Sequence, residues 1–189
     1  MIRMAREEDA EAIAGIYGPI VTTTAISFEL TVPSVEDMRQ RIRNYMQFAP
    51  WLVFVDSDQK VLGYAYASKH RERMAYQWSV DMAIYVDPTQ RRRGIGRVLY
   101  TSLADLLRLQ GFYAAHAGIT LPNAASVALH ESVGFRPVGV YRGVGYKLGT
   151  WHDVGWWQLS LRERAGEPVP PRSVAEARRD PQWKSALSL

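Results

Sequence analysis

The sequence predicts an α+β domain in which one mixed sheet is flanked by helices. Segments with strand and helix periodicity follow one another in the order β-α-α-β-β-β-α-β-α-β-β, which is typical of that class. The 189 residues suit one domain, and 47% apolar with 22% charged residues is a globular composition. These values exclude a wholly disordered, collagenous or coiled-coil chain.

The first half of the chain is predicted to hold a strand, two helices and three further strands. Residues 2–5 suit a short strand, and an acidic turn at 7–9 precedes apolar residues at helical spacing. Ser34 is a good N-cap for a second helix over 35–48. The three strands that follow are expected at 51–56, 61–68 and 77–86.

The second half continues with two more helices and three more strands. Apolar residues at helical spacing follow Gly96, and Gly111 ends that helix. Asn123 begins a shorter helix over 124–132. The remaining strands are expected at 112–119, 136–147 and 152–161.

The last residues differ in composition from the rest. Residues 163–189 are polar and contain four of the ten prolines. We therefore expect residues 1–162 to form the domain and 163–189 to be a surface arm or loose tail, in which Trp183 could dock against another part of the protein.

Several function classes are disfavoured by composition. The chain has no cysteine, which removes disulfides, thiolate metal sites and any acyl-cysteine intermediate, and which fits the cytoplasm. No apolar run reaches the roughly 20 residues that span a bilayer, and the charged N-terminus is unlike a signal peptide. The histidines do not form metal-ligand spacings with acidic residues, so no metal site is expected.

The net charge of +4 is concentrated in two short segments. Residues 69–73 and 91–97 together carry +6, so the rest of the chain is slightly acidic. A nucleic-acid binder would need a broad basic face with interleaved aromatic residues. Two local clusters instead indicate small anionic ligands.

One basic cluster forms a glycine-containing loop between a strand and a helix. Unpaired amides at a helix start and the helix dipole make an anion site, and glycine permits close approach of a phosphate. Arginines add bidentate donors, so a pyrophosphate is the natural ligand. The loop lacks the Gly-Lys-Ser/Thr ending of a nucleotide P-loop. It also lacks the first glycine and the glycine order of the GxGxxG dinucleotide-binding motif, so both of these functions are disfavoured. Its residues are Arg91, Arg92, Arg93, Gly94, Ile95 and Gly96.

Two motifs carry a family resemblance. The spacing Arg91-x-x-Gly94-x-Gly96 after a strand resembles the acyl-CoA pyrophosphate loop of the GNAT acetyltransferases. The stretch NAASVALHESVGF at 123–135 resembles the asparagine-led helix of that family. The run WHDVGWWQL at 151–159 is similar to the phosphinothricin branch, which includes methionine sulfoximine and sulfone acetyltransferases. The resemblance covers about residues 1–162.

The resemblance implies a GNAT-like sheet with splayed strands at the acyl-CoA site and a homodimer. It implies direct transfer of acetyl from acetyl-CoA to the α-amine of a small amino-acid-like substrate. The charge distribution and the lack of a long apolar run separately predict that neither nucleic acid nor a membrane is a partner. Alternatives are an acetyltransferase for another amine, such as a protein N-terminus, a lysine or a polyamine, and a non-catalytic acyl-CoA sensor.

Three residues gain catalytic roles from the resemblance. Asp81 matches the glutamate that is the general base in this branch, although aspartate is one methylene shorter. His130 could serve as base or acid, and Tyr100 could point its hydroxyl at the thioester. Structural alternatives are a strand-surface carboxylate, a helix-surface histidine and core packing of the tyrosine.

Binding roles follow in the same way. The residues implied for CoA, besides the loop, are Ile84, Tyr85, Val86, Asn123 and Ser132. Those implied for the amine substrate are Phe28, Arg71, Arg73 and Tyr76. Strand core, a helix N-cap and a solvated basic loop are the structural alternatives.

Overall fold

The computed structural model describes residues 1–188 and confirms the predicted class, a mixed sheet flanked by helices. The strands are β1 (Ile2–Met4), β2 (Trp51–Val55), β3 (Val61–Lys69), β4 (Ser79–Val86), β5 (Ala114–Leu121), β6 (Arg136–Lys147) and β7 (Thr150–Ser160). The helices are α1 (Ala10–Thr23), α2 (Val35–Phe48), α3 (Ile95–Gln110), α4 (Ala124–Ser132), α5 (Val174–Ala177) and α6 (Gln182–Ala186). The seven strands lie in the order β1-β2-β3-β4-β5-β7-β6.

Helix ends follow the capping signals of the sequence. The Ser34 hydroxyl accepts a hydrogen bond from Asp37 N at 3.1 Å, and the Asp37 carboxylate accepts from Ser34 N at 3.0 Å. This reciprocal pair is a capping box, which satisfies amides at the start of α2. Gly111 ends α3 with a φ of 102°, a left-handed conformation that favours glycine.

Helices cover both faces of the sheet. On one face α3 buries its apolar side, including Leu99, Leu103 and Leu106 at 0% exposure. On the other face α1 and α2 pack against β2 and β3. Because side chains alternate along a strand, Met82 of β4 points to the α3 face and its neighbour Asp81 to the α1–α2 face.

The sheet opens between β4 and β5. These strands are parallel and pair at three positions, the last of which is Asp81 opposite His116. Beyond that point β4 stays paired with β3 up to Val86, while β5 stays paired with β7 up to Leu121. The two strands therefore diverge, and we call the resulting V-shaped opening the splay. It confirms the splayed strands that the resemblance implied.

The segment after residue 162 packs on the body of the protein. Its short helices α5 and α6 bury Val174, Ala177 and Trp183 in the core that α3 organises. The Ser102 hydroxyl of α3 donates to the carbonyl of Ala186 at 2.5 Å. The boundary at residue 162 stays a prediction, but α5 and α6 both contact α3, and Arg172 donates to the carbonyl of Leu109 in that helix. No helix within residues 1–188 is long and apolar enough to cross a membrane.

Candidate active site

The edge of β4 that faces the splay carries free backbone groups. Asp87 N donates to Leu62 O at 2.9 Å, so odd-numbered residues of this strand turn their amides and carbonyls towards β3. The backbone groups of Ile84 and Val86 therefore point into the splay, where a ligand with amide groups could pair with them.

Tyr85 does not share that edge, although the sequence grouped it with its neighbours. It lies opposite Tyr64 in the β3–β4 ladder, so its backbone turns away from the splay. Its ring packs edge-on against Tyr17, with ring centres 5.0 Å apart, on the α1–α2 face. The structure thus brings two of the three strand residues to the opening and gives Tyr85 a packing position.

The basic loop presents amides at the start of α3. Val98 N, which donates to Gly94 O at 3.1 Å, is the first amide of this helix with a backbone acceptor among residues 1–188. The three preceding amides, from Ile95 to Arg97, project from the helix N-terminus. Gly94 has a φ of 78°, which favours glycine. Exposed arginines at 91–93 flank these amides, and the arrangement suits an anionic group.

Gly96 has a packing role that the spacing did not reveal. A Cβ atom at this position would lie 2.9 Å from Cδ2 of Leu129 in α4. The glycine therefore allows α3 and α4 to approach closely. At Gly94, by contrast, a Cβ would meet no atom within 4 Å, so the backbone conformation alone accounts for that glycine.

Tyr100 and His130 form a buried pair on the α3 face of the splay. His130 is 3% exposed, and its Nδ1 lies 2.7 Å from the carbonyl of Ser126. Because a carbonyl only accepts, Nδ1 carries the proton, and Nε2 accepts from the Tyr100 hydroxyl at 3.0 Å. That hydroxyl also lies 3.5 Å from the carbonyl of Met82 at the splay.

Burial holds this pair neutral near pH 7. Desolvation lowers the pKa of His130, and the hydrogen bond to Ser126 only partly opposes it. Desolvation also raises the pKa of Tyr100. The position of His130 is thus in the core beside β4 and not on the surface of α4.

The side chains of Asn123 and Ser132 already have partners within or beside α4. The Asn123 carboxamide oxygen accepts from Ser126 N at 3.1 Å as an N-cap. The Ser132 hydroxyl donates to Leu129 O at 2.7 Å on an exposed surface. The side-chain NH2 group of Asn123 is therefore free to donate to a ligand, whereas the Ser132 hydroxyl proton is already donated to Leu129 O.

Asp81 lies on the opposite face of β4 and contacts two histidines that the sequence did not single out. Its Oδ1 is 2.7 Å from Nδ1 of His70. The His70 ring stacks on His116, with ring centres 4.2 Å apart. Burial raises the pKa of Asp81, and the hydrogen bond from His70 opposes that rise. Burial, with the nearby His70, lowers the pKa of His116 to about 4.

The signal that could have found His70 is the register of the β3–β4 hairpin. Ser68 lies directly opposite Asp81, so a residue two positions later in the chain is its diagonal neighbour on the same face. The two strand patterns alone do not show which residues lie opposite each other. A shift of the pairing by one residue would move every side chain of the strand to the other face of the sheet.

Arg71 and Tyr76 join this cluster. The Arg71 guanidinium lies over the Trp156 ring, 5.9 Å from its centre, and donates to the carbonyl of His70 at 2.8 Å. The Tyr76 ring is edge-on to His70, with ring centres 6.0 Å apart. Arg73 is exposed at the start of the short turn that carries Tyr76.

Phe28 occupies a separate place. Its ring lies against Gly145, where an added Cβ would overlap the ring, and near His152. Lys147 donates to the carbonyl of Ser27 at 2.6 Å and fixes the same segment to the β6–β7 hairpin. No contact recorded within residues 1–188 joins Phe28 to Arg71 or Tyr76.

Sequence comparisons agree with this geometry. The acetyltransferase (GNAT) domain family matches residues 2–156. A phosphinothricin N-acetyltransferase of Streptomyces viridochromogenes is 36% identical over 173 residues, which cover 92% of this chain and 92% of that protein. An L-methionine sulfoximine/L-methionine sulfone acetyltransferase of Salmonella typhimurium is 35% identical over 166 residues, which cover 87% and 96% of the two chains.

Solved structures agree as well. A phosphinothricin acetyltransferase of Sinorhizobium meliloti in complex with acetyl-CoA superposes with a TM-score of 0.86 at 34% identity, covering 89% of this chain and 92% of that one. An N-acetyltransferase of Staphylococcus aureus gives a TM-score of 0.83 at 31% identity, covering 86% and 98%. This chain therefore belongs to the GNAT acetyltransferase family and is an acetyl-CoA-dependent N-acetyltransferase.

Proposed function

We propose that this enzyme acetylates the α-amine of a small amino-acid analogue with a polar or anionic side group, such as phosphinothricin, methionine sulfoximine or methionine sulfone. The observation that carries the proposal is the position of Arg71, which lies beside Trp156 and on the same cluster as Asp81, at the mouth of the splay. A guanidinium there suits a carboxylate, a phosphinyl or a sulfone oxygen. The names of the relatives point to the same substrates.

The donor fits the opposite side of the splay. The loop Arg91–Gly96 supplies charge and free amides for the pyrophosphate, and the Ile84 and Val86 backbone groups suit the amides of the pantetheine arm. The Asn123 amide group, at the start of α4, is a further candidate contact. With these anchors the acetyl group would enter the opening between β4 and β5.

The reaction needs a proton acceptor for the amine and a proton donor for the leaving sulfur. The amine nitrogen forms a bond to the acetyl carbon, the carbon–sulfur bond breaks, and the CoA thiolate takes up a proton. We place Tyr100 near that sulfur as its proton donor, because the Tyr100 hydroxyl carries a proton and lies 3.5 Å from the Met82 carbonyl at the splay. The proton acceptor is then on the other face of β4, around Asp81.

A turnover screen tests this function. Release of free CoA thiol from acetyl-CoA is measured with phosphinothricin, methionine sulfoximine, methionine sulfone, ordinary amino acids and a polyamine. The amino-acid analogues should be the best substrates, and the polyamine should be poor because Arg71 and Arg73 repel it. Binding of acetyl-CoA without turnover on any amine would indicate a sensor and contradict the proposal.

Two arginine variants sharpen the test. Arg71→Ala and Arg73→Ala should each raise KM for methionine sulfone about 10-fold or more, because a charge-assisted hydrogen bond contributes about 1.5–3 kcal/mol. Arg39→Ala on the surface of α2 removes the same charge away from the site and serves as the control. Unchanged kinetics in both site variants would remove the amino-acid assignment.

We also propose that the enzyme is a homodimer joined through the β6–β7 hairpin. β6 is an edge strand, and it exposes apolar side chains that a monomer would leave in water. The most exposed of these on the hairpin are Val138, Tyr141, Val144, Tyr146, Leu148 and Trp151. Both the exposed edge strand and the family resemblance favour a second copy of this chain as the partner, because two identical edges can pair about a two-fold axis.

Light scattering after size exclusion tests the dimer. The wild type should give twice the chain mass of 21.4 kDa, and Val138→Lys should shift it towards the monomer. Leu30→Lys, at an exposed apolar residue outside the hairpin, is the control. A wild-type monomer at all concentrations would contradict the proposal.

A cytoplasmic location, favoured by the supply of acetyl-CoA there, stays a prediction that cell fractionation can test.

A further inference from the structure

The contact between His70 and Asp81 fixes the state of the imidazole. A carboxylate only accepts hydrogen bonds, so Nδ1 carries the proton and donates it to Asp81 Oδ1 over 2.7 Å. Nε2 of His70 then holds a lone pair. This atom has no hydrogen-bond partner among residues 1–188. It is not fully buried, because the His70 side chain keeps 14% exposure. A free basic nitrogen is therefore accessible from outside.

The position of the imidazole matches the place where the amine must lose its proton. Asp81 and His116 are the last pair that joins β4 to β5, and the splay begins immediately beyond them. His70 stacks on His116, so it lies at the mouth of the opening on the face that carries Arg71. Tyr76 and Trp156 stand edge-on to its ring at 6.0 and 6.1 Å between centres.

We propose that Nε2 of His70 accepts the proton of the substrate amine, and that Asp81 is a positioning residue which orients His70 and stabilises its charged form. The ammonium group of the substrate transfers one proton to Nε2, and its nitrogen bonds to the acetyl carbon. The carbon–sulfur bond then breaks with its electron pair on the CoA sulfur, and the loss of a second proton from the nitrogen balances the proton that this thiolate takes up. The inference rests on the proposed N-acetylation of an amino acid and names the base for it.

Geometry favours the histidine over the carboxylate. The aspartate side chain is short, and one of its oxygens is already bonded to Nδ1. The imidazole follows the end of the neighbouring strand β3, and its second nitrogen has no hydrogen-bond partner among residues 1–188. A carboxylate that holds Nδ1–H is the usual orienting partner of a histidine base, because it fixes the tautomer.

Other charged and titratable groups around His70 come from four elements. The stacked His116 has a pKa of about 4, so it is neutral near pH 7 and adds no repulsion. The groups that face the pair are Arg71, Tyr76, Asp81, His116 and, acting on His116 from the C-terminal segment, Arg164.

The pH dependence of kcat/KM separates His70 from Asp81 as the base. His70→Gln should lower kcat about 100-fold or more and remove the acidic limb of the profile, while KM for acetyl-CoA stays unchanged. Asp81→Asn should keep more activity and keep an acidic limb, because the imidazole that accepts the proton is still present. If Asp81→Asn removes the limb and His70→Gln keeps it, the carboxylate is the base and the proposal is wrong.

Controls keep the result specific. Arg39→Gln removes a positive charge on the surface of α2, outside both basic segments, and should leave the limb in place. Circular dichroism and acetyl-CoA binding show whether each variant folds. A limb that persists unchanged in both site variants would point to a base elsewhere and also overturn the proposal.

A second measurement does not depend on the substrate. Nitrogen-15 NMR of the imidazoles should show His70 as the Nδ1–H tautomer in the wild type, with a changed Nδ1 signal in Asp81→Asn. An Nε2–H tautomer would overturn the proposal even if the enzyme turns over a different amine. The kinetic arm uses the best amine of the screen, so failure on amino acids is distinguished from failure of the His70 assignment.

Discussion

At the scale of single residues, His116 should make the stability of the protein depend on pH. Its folded pKa of about 4 lies below the ordinary value of about 6.5, so the unfolded chain binds a proton more readily. Stability is therefore complete above about pH 6.5 and falls as the pH drops towards 4. The shift corresponds to about 3 kcal/mol, which solvent screening at this partly exposed site reduces to about 1–2 kcal/mol.

His116→Gln should accordingly flatten the dependence of the unfolding free energy on pH between about 4 and 6.5. Urea unfolding at a series of pH values measures it. Gln158→Ala, on β7 directly opposite His116, removes a neighbouring side chain that does not titrate and should leave the slope as in the wild type. An equal slope in wild type and His116→Gln would mean that the imidazole is protonated as easily in the folded protein as in the unfolded chain.

The chemistry of single residues was easier to predict than their partners. Asp81 and His130 were both named from the sequence, but their surroundings were not. His130 was open to a helix-surface reading, and tertiary packing buries it against Tyr100. The contact between His70 and Asp81 depends on the register of β3 against β4, which the order of residues along one strand does not show.

At the scale of elements, the close approach of α3 and α4 depends on Gly96. Gly96→Ala would place a Cβ 2.9 Å from Cδ2 of Leu129, and displacing that side chain should cancel the roughly 1 kcal/mol that alanine otherwise adds to helix stability. The same strain should raise KM for acetyl-CoA, because the basic loop continues directly into this turn of α3. Thermal unfolding and acetyl-CoA kinetics measure the two effects.

A matched glycine separates crowding from helix propensity. At Gly15 in α1 a Cβ would meet nothing within 4 Å, so Gly15→Ala should stabilise the protein by about 0.5–1 kcal/mol. The double variant Gly96→Ala/Leu129→Ala should show strong coupling, since the second change removes the atom that is crowded. Simple additivity of the two changes would show that this contact does not limit the packing.

Most elements follow from local signals in the chain. The Ser34 cap, the Gly111 stop and the apolar face of α3 act within a few residues, and the corresponding helices begin and end close to the predicted positions. Strand ends are less well determined, as for β5, which starts at Ala114 and not at 112. The helices α5 and α6 have four and five residues, which is too short to show a period.

At the scale of the whole molecule, two charge clusters lie at the two ends of one opening. The loop at 91–97 follows β4 on the side of the donor, and the segment at 69–73 precedes β4 on the side of the amine. The sequence located both clusters, and it indicated a separate anion for each. The divergence of β4 from β5, which places them around the same splay, is long-range and needs the full sheet.

The C-terminal segment should contribute to the stability of the whole enzyme. Trp183 in α6 is 4% exposed in the core beside α3, so Trp183→Ala removes a large side chain from a packed site. Such a cavity costs about 3–5 kcal/mol, a large part of the stability of a domain this size. Urea unfolding should show that loss, while acetyl-CoA turnover at low temperature should persist because none of the site residues named above lies in α6. Lys184→Ala, at an exposed position in α6, should change stability by less than about 0.5 kcal/mol. Equal stability of the two variants would mean that residues 163–189 behave as a loose tail after all.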